Sequence, residues 1–582
     1  MGNTSSAGGK TLTPEQKDIK YLGDRVPFGD AELIHVYRAY QTLRTRSKDE
    51  SVSFITDMGV ATASLSSIEE AEERLMLFQA IEHKILPPNF GNTLYKKCLL
   101  RKQDRSGYDE HGDNGNAAVG QSIDISTEDE YTRLARLEAF FDGLAKCGRR
   151  GNKASLEILI ACCKLQEKPP SAAAATNDND TYMMPNYSGS SSSSKDQTYV
   201  DPAEFVDMGY RIGLATAFLK AAAEDDDMSL FIPSPDASQS PELKAFAMSL
   251  RQCATKRNQR MVRSVTPSTD LVEFVTNEDI MEWAEATAPM FAATLSTFFY
   301  SLLFPGRPAP PSRSSFDYPQ IPSESTFFLK ASSPLLFSFG CMSVSLGGEF
   351  YRLYTSAADG LSFNRLQNSL LGYGGPTLII IQSGDSVFGA YTASPWKESK
   401  DYYGNSDCFL YQMLPLTAVY RPTNSNTKFM YCNSHARSKG YDQQAHGIGF
   451  GGTTDQPRLF IAETFDDCCA SNRDLMFETG RLLSDKFDTD HFEIDNLEVW
   501  GVGGTDVVQD ALGARDRQRD IRAANIRKAR KVDKAAFLDD LRSGLIESKA
   551  FAHRQQIRGR DDACVDPDDP QNYLHPGEKQ SL

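Results

Sequence analysis

The sequence predicts a multidomain chain in which an all-α N-terminal half precedes a C-terminal antiparallel β-sandwich. Three observations lead to this prediction. Apolar residues recur at helical spacing up to about residue 305, a proline-rich stretch interrupts the chain at 306–330, and short runs of β-branched and aromatic residues follow it. At 582 residues, the chain is long enough to hold several domains.

The chain opens with "MGNTSS", a pattern typical of N-myristoylation. Removal of the initiator methionine exposes Gly2, and Ser6 supplies the small hydroxyl residue that the transferase prefers four positions later. The alternative is that these residues are an unmodified, polar and disordered start of the chain. One acyl chain anchors a protein only marginally, with a partition constant of about 10⁴ M⁻¹, so a second membrane signal is expected, preferably a partner protein. We assign residues 1–28 to a myristoylated, flexible N-terminus.

The helical half is predicted to consist of two parts separated by an insert. The first part covers 29–165, where "FGDAELIHVYRAYQTL" places four apolar side chains on one helix face: Leu33, Val36, Tyr37 and Tyr40. Residues 166–200 are rich in Ala, Ser and Asn and are predicted to be a disordered insert, because they offer little apolar surface to bury. Helical spacing returns over 201–305, where Met290–Gly306 is interpreted as a buried helix.

The proline-rich residues 306–330 are interpreted as a linker that marks a domain boundary. The β-rich domain is predicted to span 331–504, because closely spaced short strands without long helices between them indicate an antiparallel sandwich. Residues 505–582 are predicted to contain a basic amphipathic helix and a disordered acidic tail. Between Ala511 and Arg560 there are fourteen Lys and Arg but six Asp and Glu. Such a basic helix is typical of a solvated surface helix, of binding to anionic lipid or to an acidic partner, or of a nuclear import signal.

The residues reveal no catalytic, metal or cofactor motif, so the sequence predicts a non-enzymatic protein without a cofactor. The layout of the helical half resembles EF-hands, but "DRSGYDEHGDNGN" and "NDNDTYMM" lack the Gly or the final Glu of a calcium loop. "GIGFGG" (447–452) is interpreted as a Gly-rich bend, because a strand-like run follows it instead of the helix that a dinucleotide site requires. His435 and His446 have no partners at metal-ligand spacing.

Charge and cysteine usage further restrict the class of protein. The net charge of −16 argues against nucleic-acid binding. Eleven cysteines without a C-x-x-C motif indicate a reducing compartment, and Cys408 and Cys432 are interpreted as small buried hydrophobes.

The C-terminal half resembles the TLDc family. Six segments occur in the family's order from about Pro334 to Gly504: "RLYTSAADGLSFNRL", "TLIIIQSGDSVFGAYTASPW", "GNSDCFLYQMLP", "HGIGFGG", "RLFIA" and "FEIDNLEVWGVGG". Asp359 stands where many relatives have His. The resemblance implies a β-sandwich with flanking helices, and a degenerate EF-hand-like region before the sandwich is similar to the layout of the N-myristoylated, lysosome- or vacuole-associated members.

The resemblance also implies a function. We expect a non-enzymatic adaptor at the cytosolic face of a lysosome, a vacuole or another endomembrane, which binds the vacuolar-type proton ATPase, reaches the membrane through the N-myristoyl group and contributes to oxidative-stress resistance. TOR-pathway proteins are further expected partners. A redox-protective enzyme and a calcium-sensing EF-hand protein are the alternatives.

The family motif "NLEVWGVGG" supplies the candidate partner-binding residues, Glu498, Gly501, Gly503 and Gly504. Alternation along a strand with one buried face predicts that Glu498 points to solvent, opposite Leu497 and Val499. Glycines beside it are expected to leave the backbone open to a partner.

Overall fold

The computed structural model describes residues 12–46, 54–62, 68–96, 130–164, 199–262, 272–305, 315–322, 324–434, 445–453, 456–483 and 489–542. The chain forms two compact units, Met1–Ala511 and Leu512–Leu582. Gly2, the two candidate calcium loops, His435 and nearly all of the predicted insert lie outside the described residues. Of that insert, Tyr199 and Val200 are described, and they form a strand.

The N-terminal half of the first unit is helical, as the sequence predicts. Its only strand pair in the described residues is antiparallel, between β1 (Tyr199–Val200) and β2 (Val275–Thr276). A π-helical turn at Ile81–Ile85 follows the fourth helix. The helices are α1 (Pro14–Gly23), α2 (Asp30–Arg46), α3 (Phe54–Thr62), α4 (Ile68–Ala80), α5 (Phe90–Leu94), α6 (Glu130–Gly148), α7 (Asn152–Cys162), α8 (Pro202–Glu224), α9 (Pro241–Val262), α10 (Asn277–Ala286) and α11 (Phe291–Leu303).

Helix α1 lies within 1–28, so that part of the assignment to a flexible terminus is wrong. Thr13 caps the helix in a reciprocal capping box with Gln16. Asp18 on α1 is buried, and its two carboxylate oxygens accept hydrogen bonds of 2.6 and 2.7 Å from Arg133 on α6. The hydroxyl of Tyr37 on α2 also donates to Asp18, at 2.6 Å. Together with burial, this hydrogen bond raises the pKa of Tyr37 to about 12. A single carboxylate therefore joins three helices.

We expect Asp18→Asn to detach α1, because the amide loses the bidentate pair with Arg133 and leaves that guanidinium without its partner. The expected loss of stability is about 1.5–3 kcal/mol, the usual range for hydrogen bonds to charged groups. Thermal melting of the full chain and amide exchange over Pro14–Gly23 measure it. Glu15→Gln is the matched control, because Glu15 pairs with Arg38 in solvent and should change stability by less than about 1 kcal/mol. Equal effects of the two variants would contradict the role of Asp18.

Helix α11 is buried, which confirms the interpretation of the apolar stretch at 290–306. Among the described residues, no single helix is long and apolar enough to cross a membrane. Helices α10 and α11 reach that length and apolar content only as a pair, and they are bent by 92° relative to each other.

The C-terminal half is a sandwich of two six-stranded antiparallel sheets, which confirms the predicted architecture. Sheet I has the strand order β3-β14-β4-β5-β7-β8, and sheet II has the order β13-β12-β11-β10-β9-β6. The elements are α12 (Pro334–Met342), β3 (Tyr351–Thr355), α13 (Ser356–Asp359), α14 (Phe363–Leu370), β4 (Thr377–Ser383), β5 (Ser386–Thr392), β6 (Ser399–Tyr403), β7 (Cys408–Leu414), β8 (Ala418–Tyr420), β9 (Met430–Asn433), β10 (Gly447–Gly452), β11 (Pro457–Ala462), β12 (Cys469–Ser471), β13 (Thr489–His491), β14 (Asn496–Gly501) and α15 (Thr505–Arg542).

Sheet I is buried on both faces, and this feature fixes the relation of the two halves. Along β4, Ile379 and Ile381 belong to the core between the sheets, whereas Leu378 and Ile380 belong to the core that also holds the helices. Side chains alternate between the faces of a strand, so β4, β5, β7, β8 and β14 of sheet I each contribute to two cores, whereas the edge strand β3 contributes only to the core between the sheets. The helical half and the sandwich therefore share one core within the first unit.

The predicted linker is also part of this core where it is described. We call residues 315–322 and 324–330 the crossing segment. Phe316 and Tyr318 in it are buried with the helices. Gln320 forms a parallel bridge with Glu349 just before β3. Proline-rich composition predicted a boundary here, but aromatic residues between the prolines give the segment enough apolar surface to pack.

Candidate functional site

The most unusual side chain of the sandwich is Glu498, which lies in the interior of sheet I. Strand β14 pairs with β3 on one side and with β4 on the other, and Glu498 lies opposite Thr355 and Ile380. Leu497 and Val499 belong to the core between the sheets, so Glu498 and Trp500 face the helices and the crossing segment. Both side chains are fully buried.

Four hydrogen bonds satisfy the buried carboxylate. The Ser325 hydroxyl donates to Oε2 at 2.7 Å, and the Trp500 indole N–H donates to the same oxygen at 2.9 Å. Thr326 donates twice to Oε1, from its backbone N–H at 2.6 Å and from its hydroxyl at 2.8 Å. A buried carboxylate is tolerated only when donors replace its water. These four contacts define the Glu498 clamp, which joins the crossing segment to sheet I.

The donors are themselves held in place. The Ser325 hydroxyl oxygen accepts hydrogen bonds from the backbone N–H groups of Phe327 and Phe328, both at 3.1 Å, which bends the segment into a compact turn. The ring of Phe328 packs edge-on against Trp500, with 6.3 Å between centroids. Phe350 approaches Trp500 from another side at 6.4 Å. Aromatic rings therefore cover the Trp500 side of the clamp, whereas Thr326, at its other side, is exposed.

The prediction that Glu498 points to solvent is wrong. The alternation was interpreted correctly, since Leu497 and Val499 do share a face, but the opposite face of β14 is buried as well. Ser325 and Thr326, the partners of Glu498, lie in the predicted linker. No local sequence pattern points to Ser325 and Thr326, because they lie more than 170 positions away from Glu498 along the chain. Asp359 has a local role, because its carboxylate accepts a hydrogen bond from the backbone N–H of Thr355 at 3.1 Å.

The three glycines of the motif differ in what they do. Gly501 is buried, and a Cβ there would lie 2.5 Å from the hydroxyl oxygen of Tyr373, so its backbone is covered and not open. Gly503 and Gly504 have φ of +103° and +95°, the left-handed region that glycine adopts without strain. They turn the chain from β14 into α15. Both are partly exposed, so the backbone at this turn remains accessible.

Arg421 forms a second junction between the halves, at the far edge of sheet I. Its guanidinium donates to the carbonyl oxygens of Ala286 at the end of α10 and Met342 at the end of α12, at 3.3 and 3.2 Å. It also lies over the ring of Phe409, 5.5 Å from the centroid. Burial lowers the pKa of this guanidinium. The sequence offered no signal for this role.

Other segments and residues named in the sequence analysis form part of the strands or of the core. The "GIGFGG" segment is the strand β10 inside sheet II, so the interpretation as a bend is wrong for most of it. Gly451 and Gly452 at its end have left-handed φ, +64° and +69°. Cys408 and Cys432 are buried, as predicted. Within the described ranges, no three His, Cys, Asp or Glu side chains lie close enough together to hold a metal ion.

The fold and the site define a class of protein: an antiparallel sandwich with a buried glutamate in sheet I. Comparison with known proteins identifies this class. Residues 333–503 match the TLDc domain model, and this part of the chain is a TLDc domain.

Several curated relatives share this domain. The MTOR-associated protein MEAK7 of Danio rerio is 29% identical over 153 residues, which cover 26% of this chain and 32% of that protein. The protein of the same name from Xenopus laevis is 31% identical over 160 residues, or 26% of this chain and 31% of that protein. Oxidation resistance protein 1 of Xenopus tropicalis is 26% identical over 157 residues, or 27% of this chain and 16% of that protein. The chain thus matches about a third or less of the length of these relatives.

We expect Glu498→Gln to destabilise the full chain by about 1–3 kcal/mol, because the new amide replaces one acceptor oxygen with a donor that faces the donors of the clamp. Glu498→Ala should cost more, since it leaves all four donors unpaired. Thermal melting measures both. Glu493→Gln, an exposed position five residues earlier, is the matched control. A Glu498→Gln protein as stable as the Glu493→Gln protein would show that the clamp does not hold the fold.

Proposed function

We propose that this protein is a non-enzymatic TLDc regulator that acts at the cytosolic face of an acidic organelle and binds the vacuolar-type proton ATPase there. One observation of the structure carries the proposal. The distinctive side chains of the domain, Glu498 and Trp500, are committed to holding the fold. Both faces of sheet I are covered from β14 to β7, so a partner does not reach the middle of this sheet. A rigid domain of this kind suits binding.

The named relatives support a regulatory role. One group is described by association with mTOR and the other by oxidation resistance. A TOR-pathway partner and a contribution to oxidative-stress resistance are therefore part of the proposal. The matched segment is the TLDc domain, and the helical half together with α15 lies outside it.

Among the described cysteines, the thiols with a shifted pKa favour this role over a redox-protective enzyme. A cysteine that reacts with oxidants needs a lowered pKa and access to solvent. Burial instead raises the pKa of Cys253 to about 11, of Cys408 to about 12 and of Cys468 to about 11. Burial also raises the pKa of Cys469, which is partly exposed. Thiols with raised pKa values are poor nucleophiles at neutral pH.

The turn after β14 is the part of the predicted partner-binding set that a partner can reach. Gly503 and Gly504 are partly exposed there, and Val507 in the first turn of α15 is 43% exposed. Glu498 contributes by positioning this end of β14, and Gly501 by packing on Tyr373. We propose that the residues from Gly503 to Val507 contact the pump.

We expect Val507→Lys to lose most of the association with the pump while the protein stays folded, because a cation placed in a contact of small and apolar groups must be desolvated. Pump subunits captured from detergent-solubilised membranes by the full chain should fall about tenfold, which corresponds to about 1.4 kcal/mol. Leu361→Lys is the matched control, since Leu361 is 46% exposed in the same domain. Undiminished capture by a folded Val507→Lys protein would place the contact elsewhere.

The lipid part of the proposal rests on Gly2. We expect Gly2→Ala to move the protein from the membrane fraction to the soluble fraction, because the transferase requires an N-terminal glycine. Ser5→Ala is the control, since it keeps both Gly2 and Ser6. Fractionation of cells that express each full-length variant measures the share of the protein in the membrane fraction. A Gly2→Ala protein that sediments with membranes like its parent would remove myristoylation from the proposal.

A further inference from the structure

Helix α15 contains a long stretch of exposed residues. Every residue from 516 to 528 is exposed, and so is Lys534 beyond it. We call residues 515–534 the basic segment. It contains nine Lys and Arg and three Asp, whereas the whole chain has a net charge of −16. A continuous helix with this composition presents a local positive surface on an acidic protein.

The spacing of these charges disfavours the helix in isolation. Between Ile521 and Val532 the sequence has five basic residues and no acidic one. Arg519 precedes Arg522 by three positions, a spacing at which like charges on a helix repel each other. An anionic surface would remove this repulsion. The charge pattern therefore calls for a negatively charged counterpart.

The positions of the apolar residues on the helix help to decide whether the anionic counterpart is a protein groove or a lipid surface. A helix that docks in a protein groove presents anchors at i, i+3 or i+4, and i+7. Beyond the first turn, the exposed large apolar side chains among the described residues of α15 are Ile521, Ile526 and Leu538, at 60, 53 and 47% exposure. At 100° per residue, these positions point in three different directions around the helix. Scattered apolar groups among cations suit a laterally uniform anionic layer better than a groove.

We propose that the basic segment binds the anionic headgroups of a lipid bilayer and is the second membrane contact of this protein. A single myristoyl chain gives only marginal, reversible binding, and a polybasic segment is one of the signals that complete such an anchor. The pairing of the two signals rests on the proposed myristoylation of Gly2. Binding of the basic segment to anionic lipid does not.

The test uses the full-length protein without the acyl group, so that the outcome is independent of Gly2. Sedimentation with phosphatidylcholine vesicles that contain phosphatidylserine should pull the protein down, and pure phosphatidylcholine vesicles should not. Binding should weaken as salt is added, because salt screens the attraction. The triple variant Arg527→Gln, Lys528→Gln, Lys534→Gln should lower partitioning about 100-fold, because each cation near an anionic surface contributes roughly fivefold.

The matched control is Lys153→Gln, Lys244→Gln, Lys428→Gln, which removes three exposed lysines elsewhere on the chain. It should bind vesicles like the parent. Equal loss in both triple variants would overturn the proposal, as would the absence of phosphatidylserine-dependent binding by the parent. Vesicle binding unchanged in the basic-segment variant, with salt-sensitive capture of a membrane protein lost instead, would assign the segment to an acidic protein partner and would also overturn it.

Discussion

The buried carboxylate of Glu498 is the interaction on which the rest of the structure depends. A charge placed between packed layers must replace its lost water, and it does so with donors from two places in the chain: Ser325 and Thr326 in the crossing segment, and Trp500 on β14 itself. The donors of the crossing segment and the aromatic rings around Trp500 can adopt their positions only if the segment lies across sheet I. The clamp therefore fixes the path of the chain between its two halves.

The clamp makes the TLDc domain part of the helical core. Its inner sheet supplies one wall of the helical core, and Arg421 ties the opposite edge of the same sheet to α10 and α12. From β14 to β7, neither face of sheet I is free to bind a partner. Because a close-packed interior has low compressibility, the domain behaves as a fixed frame that presents its turns. A regulator that works by contact needs this kind of rigidity more than it needs a reactive group.

The two proposed contacts place different demands on the chain. Pump binding at the turn from Gly503 to Val507 needs a defined shape, and the left-handed backbone of the two glycines creates a turn that other residues would strain. Binding to lipid by the basic segment of α15 needs only charge and exposure. The chain concentrates its positive charge in an exposed helix while the remainder stays acidic, so attraction to an anionic membrane is local and the rest of the surface is repelled.

The sequence by itself determined the class of each half, the antiparallel sandwich and its family, because hydrophobic periodicity and an ordered set of motifs are local properties. It also identified the helix face of Leu33, Val36, Tyr37 and Tyr40, and all four are buried. Only the tertiary structure decided where Glu498 points and that the proline-rich stretch is packed where it is described. Alternation along β14 shows that neighbouring side chains lie on opposite faces, but it does not show whether one face or both are covered. That depends on layers supplied by residues far away in the chain, and so the exposure of a strand residue is a property of the assembled fold.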